Sequence, residues 1–326
     1  MSNHFFLLEV DCLHRGSTHE YVPRRSHRPI DRAIGHAHGV VEHPPLCLLS
    51  FPAGVSTAMA LSAQGQFTYW QPRGVKEYLA ASAQNYVGLM EDGQTVLKYP
   101  RDKTETNFDC LHEEAARYIR LGPHENLVVY KGFTDDGLLL EYCERGRLDH
   151  VAEGPGTLTD TEKISFGKEI VRGLLYLHEH NFIHCDLHIR NVFVTSQMIA
   201  KIGDIQGQLS RDDGSIELES MFSENAKSRH PFAGEDEFSL RTDIFALGTL
   251  LYHLWHGHEP FPDLHEHFQS DLVQARYRAG QYPFDPSQAT DVDIIIGKCW
   301  NSSYKHVNEI LLDMDHLDVN GAAHTE

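Results

Sequence analysis

The 326-residue chain has six cysteines (Cys12, Cys47, Cys110, Cys143, Cys185 and Cys299), and no two of them form a CxxC pair. That argues against a zinc ribbon, a dithiol redox site or a disulfide framework, and it suits a reducing intracellular compartment, the cytoplasm above all. Basic charge is scarce: 28 Lys and Arg stand against 47 Asp and Glu, a formal charge of −19 at pH 7, and no run of five basic residues occurs. A surface of that sign repels polyphosphate backbones and anionic headgroups, so no nucleic acid is expected as a partner. Long apolar runs are missing too. The first, Phe5–Leu8, has no basic start, unlike a secretory signal. Pro44–Pro72 carries no charge and is long enough for a bilayer, but Pro52, Gly54 and several Ser and Thr dilute it. No membrane association is expected. What remains is a globular composition, 41% hydrophobic and 10% aromatic, too apolar for wholesale disorder.

Residues 1–72 hold five Arg, no Lys, five acidic residues and seven His, with no persistent period of 2 or 3.6. All the excess negative charge therefore falls in 73–326, and the chain is expected to divide into a poorly structured leader (1–72), a folded domain (73–314) and a tail (315–326). Within the domain, Val75–Leu79, Tyr86–Met90 and Thr95–Tyr99 read as strands, the last two joined across Glu91-Asp92-Gly93. Phe108–Arg120 reads as a helix, and Leu127–Tyr130 and Leu138–Tyr142 as strands. Thr159 and Glu162 have capping-box spacing ahead of an apolar helical stripe, Ile164, Phe166, Ile170, Leu174 and Leu177. Val192–Val194 and Ile199–Ile205 are strand-like, 206–240 is polar and patternless, and helices are expected at Asp243–His256, 266–278, 290–299 and 305–313. A small sheet-rich lobe (73–141) beside a larger helical lobe (144–314) places a cleft between them, a usual ligand site.

The chemistry concentrates in His184-Cys185-Asp186-Leu187-His188-Ile189-Arg190-Asn191 and in Asp204, 18 residues beyond Asp186. Two carboxylates and an amide on neighbouring elements make an oxygen-rich set, the kind that hard divalent cations prefer while they keep phosphate as a further ligand.

With those residues in view, the chain resembles a eukaryotic-type protein kinase domain, particularly the divergent kinase-like domains of fungi, over about three quarters of its length (75–314). The resemblance implies an α+β, two-lobed fold and phosphoryl transfer from ATP, with Mg²⁺, to a hydroxyl of a protein substrate. TVLKYP resembles the strand whose lysine, here Lys98, contacts nucleotide phosphates. Glu114, 16 residues on, matches the helix glutamate that pairs with it. HCDLHIRN resembles the catalytic loop, with Asp186 accepting the substrate proton and Asn191 joining Asp204 on the metal. Arg190 is implied on the phosphate or hydroxyl side. LLLEYCERGRL resembles the hinge, where Leu140 is the gatekeeper and the backbones of Glu141 and Cys143 meet the adenine edge. Val87, Val96 and Phe193 complete the implied nucleotide site, with Ala80 and Ser82 at positions of the phosphate-covering loop. TDIFALG resembles the helix that anchors the catalytic loop, and Lys298-Cys299-Trp300 a later motif of the helical lobe.

Several positions depart from the family pattern. The loop glycines fall on Ala80, Ser82 and Asn85, which implies a looser hold on phosphate. The metal-binding segment reads Asp204-Ile205-Gln206, with glycine delayed to Gly207, which implies restricted backbone switching. Cys185 stands where many kinases carry an arginine that pairs with a phosphorylated loop. Both members of an ion pair that usually braces the peptide platform are absent: only His230-Pro231-Phe232 stands near the place of one, and Val307 occupies the place of the other. Three functions stay open at this stage. The first is an active protein kinase, of Ser/Thr or Tyr specificity. The second is a kinase-like binding module of weak or no activity. The third is a small-molecule phosphotransferase, because DLHxxN also resembles the loop of aminoglycoside- and choline-kinase-like enzymes.

Overall fold

The computed structural model describes residues 60–61, 67–68, 70–82, 84–153, 158–234 and 236–321. The chain divides into two compact units, Met1–Gln71 and Pro72–Glu326. In the first, β1 (Ala60–Leu61) pairs antiparallel with β2 (Phe67–Thr68). The expectations for the leader otherwise lie almost wholly outside the described residues, as does the end of the tail.

The second unit begins with β3 (Val75–Ala81), β4 (Asn85–Met90) and β5 (Thr95–Pro100), followed by α1 (Glu105–Leu121), β6 (Tyr130–Thr134) and β7 (Gly137–Glu141). The five strands form one antiparallel sheet in the order β3-β4-β5-β7-β6. The β4–β5 turn closes because Asp92 Oδ1 accepts from the backbone of both Gln94 and Thr95 at 2.9 Å, an Asx turn that leads into Gly93 and fixes the register. Central β5 is buried at every position. Thr104 caps α1 by accepting from Asn107 N, and the helix stops at Gly122 with φ 74°. Its buried face includes Leu111, Ala115, Tyr118 and Leu121, and also two charged residues, Glu114 and Arg117.

The larger lobe follows: β8 (Gly146–Arg147), α2 (Leu148–Glu153), α3 (Asp160–Glu179), β9 (Phe182–Ile183), β10 (Val192–Val194), β11 (Ala200–Ile202), β12 (Gln208–Ser210), β13 (Ile216–Leu218), α4 (Leu240–His256), α5 (Ser270–Arg278), α6 (Asp291–Trp300) and α7 (Val307–Gly321). The Thr159–Glu162 capping box starts α3. Every residue of α4 from Thr242 to Leu254 is buried, so this helix is the centre of the lobe rather than a surface element. Gly248 lets it approach α6: a Cβ there would lie 2.7 Å from Cys299 Cβ and 3.1 Å from Trp300 Cδ1. Trp300 in turn donates its Nε1–H to Thr249 Oγ1 at 3.1 Å. The architecture is the two-lobed α+β fold expected, a β-rich small lobe and a helical large one. No described helix is long and apolar enough to cross a membrane.

Local differences have local causes. The strand expected at Leu127–Tyr130 starts only at Tyr130, because the buried Leu127 and Val128 pair with Ile202 of β11 instead. The strand expected over Ile199–Ile205 ends at Ile202, and Asp204 has a positive φ of 55°. The patternless segment 206–240 contains the β12–β13 hairpin, two strands too short to leave an alternation. The last helix, α7, runs on to Gly321, well past the expected 313.

Candidate active site

Strand β5 and helix α1 bring the first two charges together. Lys98 Nζ, on a strand buried on both sides, lies 2.8 Å and 3.0 Å from the two carboxylate oxygens of Glu114, whose side chain is 0% exposed. The same ammonium reaches Asp204 Oδ1 at 2.5 Å. Burial opposes the charge on Lys98, but Asp204 and then Glu114 outweigh it and raise its pKa above the usual lysine range. Burial likewise opposes the Asp204 charge, and Lys98 outweighs it, holding that carboxyl below its ordinary value. One cation thus bridges two carboxylates from α1 and from the turn after β11.

The loop between β9 and β10 carries the rest. Asp243, at the start of α4 and fully buried, accepts from the backbone of His184 at 2.7 Å and of Cys185 at 3.0 Å, and meets His178 Nε2 at 2.9 Å. Those bonds hold the loop while Cys185 takes a φ of 65°. Asn191 Nδ2 donates to the Asp186 carbonyl at 3.0 Å, and Gly203 N donates to the Asn191 carbonyl at 2.9 Å. Asp186, Asn191 and Asp204 are therefore linked through backbone, with Asp186 Oδ2 3.5 Å from His188 Nε2. Asn191 and Asp204 supply hard oxygen donors, one amide and one carboxylate, a set that fits Mg²⁺.

Of the residues expected on the nucleotide side, Val87, Val96 and Leu140 lie on the same sheet as Lys98, in the registers Val87↔Lys98 and Val96↔Leu140. Phe193, on β10, faces Gly203: a Cβ on that glycine would lie 2.8 Å from the ring. Glu141 turns its carboxylate to Lys201 Nζ at 3.0 Å and to Val129 N at 3.1 Å. The Cys143 thiol is buried, and burial pushes its pKa up to about 12. Ala80 pairs with Val87, and the strand-joining turn closes on itself: Ser82 N donates to the Asn85 carbonyl at 2.8 Å and Asn85 N to Ser82 Oγ at 3.0 Å. Arg190 is the exception. Its guanidinium lies 3.0 Å from Glu259 and 3.9 Å from Glu266.

Three features escaped the sequence reading. Gln206 is more than a side chain in a glycine's place, since its Nε2 donates to Glu114 Oε2 at 2.6 Å. The segment needs its glycine one residue later, where a Cβ on Gly207 would lie 2.1 Å from the Ile183 carbonyl. Arg117 is fully buried and donates to the carbonyls of Gly207 at 2.8 Å and Glu219 at 2.5 Å. The third is the platform that follows. Gln274 donates to the Ala226 and Arg229 carbonyls, Tyr277 and Thr249 to that of Lys227, and Arg278 to that of Pro231. His230 meets Ser302 Oγ at 3.1 Å and packs edge-on against Phe245 of α4. The only advance signal was the loss of the usual ion pair, which required some other anchor.

Residues 83–309 match the family model described as protein tyrosine and serine/threonine kinase. Among curated proteins, the chain is 24% identical over 253 residues to mitogen-activated protein kinase kinase kinase 12 of Rattus norvegicus, covering 76% of this chain and 27% of that protein. It is 30% identical over 190 residues to a probable cell cycle serine/threonine-protein kinase, the CDC5 homolog of Encephalitozoon cuniculi, covering 56% of this chain and 40% of that one. Against mitogen-activated protein kinase kinase kinase 13 of Homo sapiens the identity is 24%, covering 76% and 25% of the two chains. The chain thus spans well under half the length of these relatives.

Proposed function

The chain belongs to the protein tyrosine and serine/threonine kinase family, and from that membership and the geometry at Lys98 we propose that it transfers the γ-phosphoryl group of ATP to a protein hydroxyl, with Mg²⁺ as cofactor. The observation that carries this reading is the single buried ammonium held between Glu114 and Asp204. An isolated buried lysine is costly, and the pair with Glu114 fixes the ammonium where a phosphate oxygen can meet it. Lys98, oriented by Glu114, binds the ATP phosphates. Asp186 accepts the proton of the incoming hydroxyl and aims its oxygen at the γ-phosphorus. Asn191 and Asp204 would hold Mg²⁺, which when bound neutralises charge on the phosphates. Val87, Val96, Leu140 and Phe193 supply apolar walls for the base, the Glu141 and Cys143 backbones its polar edge, and Ala80 and Ser82 the phosphate cover. Arg190, which Glu259 and Glu266 engage, would serve on the phosphate or hydroxyl side.

The packing of Lys227 and His230 against α4 favours a protein over a small-molecule acceptor, since a segment laid along that helix forms a platform for a peptide. Ser/Thr against Tyr acceptance is the finer question, and the departures at Ala80, Cys185, Gln206 and Val307 are what align the chain with divergent kinase-like domains such as those of fungi. The test is ATP turnover by the full chain with a generic protein substrate, with and without Mg²⁺. Mg²⁺-dependent phosphate incorporation is expected. Nucleotide binding without turnover replaces this reading with a kinase-like binding module, a reading for which the self-bonded Ser82–Asn85 turn is the specific support.

A further inference from the structure

Glu114 Oε2 receives two donors, Lys98 Nζ at 2.8 Å and Gln206 Nε2 at 2.6 Å. Gln206 is 7% exposed, and its backbone is fixed at both ends: its N–H donates to the Asp204 carbonyl at 2.9 Å, and its carbonyl accepts from Met221 N at 3.0 Å. Three residues along α1 from Glu114, Arg117 grips the same stretch from the other direction, through the carbonyls of Gly207 and Glu219. Its guanidinium is 0% exposed, and its third contact is Glu113, 3.4 Å away. Helix α1 is thus tied to the backbone after Asp204 by one amide donating into the helix and one guanidinium donating out of it.

We propose that Gln206 and Arg117 are positioning residues that fasten α1 to the segment after Asp204 and so hold Glu114 on Lys98. The chemistry of the donor matters. Glu114 is a fully buried carboxylate that already shares its lysine with Asp204. A second cation would compete with Lys98 for Asp204 and Glu114, and a carboxylate at 206 would repel both. A neutral amide satisfies the remaining lone pair of Oε2 and leaves the charge balance of Lys98 with its two carboxylates unchanged. Arg117 supplies the complement: its planar fork bonds two carbonyls from points twelve residues apart in the chain, Gly207 and Glu219, so that segment cannot leave without stranding a buried charge. Neither contact requires a modification or a ligand, so the tie is present in the unliganded chain.

The kinetic arm of the test rests on the kinase reading, and a second arm does not. In the full chain, Q206M keeps length and apolar bulk and removes the donor. Amide hydrogen exchange in the last two turns of α1 should quicken about tenfold or more in Q206M, while exchange in α3 stays as it is. With ATP and a protein substrate, kcat should fall about tenfold, with KM for the protein substrate unchanged, because the loss is in the population of chains with Glu114 on Lys98. R117K retains the buried charge but loses the fork, and should quicken α1 exchange and lower kcat in the same direction; it carries the test if Q206M does not fold. Unchanged exchange in both variants overturns the tie. Quickened exchange with unchanged kcat overturns its positioning role. A wild-type chain without turnover overturns the kinase reading instead, and exchange still decides the tie.

Discussion

The junction around Lys98 and the platform around Lys227 are both buried, and they are held together by different means. Around Lys98, formal charges face one another: an ammonium between two carboxylates, with a single neutral donor added. Around Lys227 and Pro231, the backbone is held by side chains that donate to its carbonyls, Gln274, Tyr277, Thr249 and Arg278, and by a neutral His230 against Ser302. The difference teaches what each region needs. On the proposed function the junction must hold a polyanion while a phosphoryl group leaves it, and charge at fixed points serves that. Holding a platform needs position, which the hydrogen bonds to carbonyls supply, and its one buried ammonium, Lys227, is compensated by Glu259 at 3.1 Å. The family's ion pair could therefore be lost from the platform as a unit, while the junction kept every charge.

That contrast is broken most directly at Asp204. D204N keeps the shape and removes the charge that pairs with Lys98 and, on the proposed function, would hold Mg²⁺, so kcat for ATP-dependent transfer should fall at least about a hundredfold. On the proposed mechanism D186N should be comparably severe, since it removes the group assigned to accept the substrate proton. Steady-state turnover of the three proteins measures this, and D204N at the wild-type rate would break both the contrast and the mechanism. On the platform the corresponding change is smaller. Q274A removes the donor shared by the Ala226 and Arg229 carbonyls. It should raise KM for a protein substrate several-fold, leave KM for ATP within about twofold, and cost roughly 1 kcal/mol in a denaturant titration.

A third measurement sharpens the comparison through pH. Glu224 is a buried platform carboxyl with an unpartnered Oε1, and burial, followed by Asp243, pushes its pKa up to about 8 from 4.5. In the unfolded chain it ionises near 4.5 and in the folded chain only near 8, so the folded state holds the extra proton between those values and stability declines as pH rises through them. E224Q escapes that decline. Its Tm should match the wild type near pH 4 and exceed it by about 3 °C at pH 8. His230 works in the other direction. Burial, with Arg241 adding to it, lowers its pKa from 6.5 to about 4, so the unfolded chain binds the extra proton and stability falls as pH drops through that window. A wild-type Tm flat from pH 4 to pH 8, with no gap to E224Q, would show that the fold does not hold Glu224 neutral.

How much of this was legible in the sequence followed the same division. The residues of the junction were readable through the resemblance of TVLKYP, HCDLHIRN and the segment at Asp204 to kinase motifs, and of these Lys98, Glu114 and Asp204 meet in the fold. The two-lobed order was readable from strands with turn residues and helices with caps, such as Gly93 and Thr159. Long-range polar contacts were not. Nothing local marks Arg117 as buried, since an arginine at that point of an amphipathic helix reads as a solvated face until Gly207 and Glu219 arrive from 90 and 102 residues away. Gln206 read as an intruder in a glycine's position, because the close approach that demands glycine belongs to Gly207 and shows only in three dimensions. The partners of Arg190 were not legible either, since Glu259 and Glu266 come from far along the chain.

The smallest effect expected is none at all: phosphatase treatment of the purified chain should leave its turnover within about twofold. A phosphate on the segment after Asp204 orders it only where a cation is free to receive it. Arg117 is the buried cation that bonds that segment, and two carbonyls already occupy it. Cys185 is a buried thiol whose pKa burial and Asp243 both raise, so it offers no charge of either sign. Ser228 is itself buried, and Ser220 spends its hydroxyl on the Phe222 carbonyl at 2.6 Å. Ser215 is bonded to Asp213 at 2.6 Å, an anion that a phosphate would face directly. Arg211 Nη1 does lie 3.4 Å from Ser215 Oγ, but at an exposed hairpin tip, where a pair is screened and worth little. Since Gln206 and Arg117 already hold α1 in the unmodified chain, a phosphate has no displaced helix to recover. A large fall in rate after dephosphorylation, reversed by rephosphorylation, would show that the ties seen at Gln206 and Arg117 do not suffice.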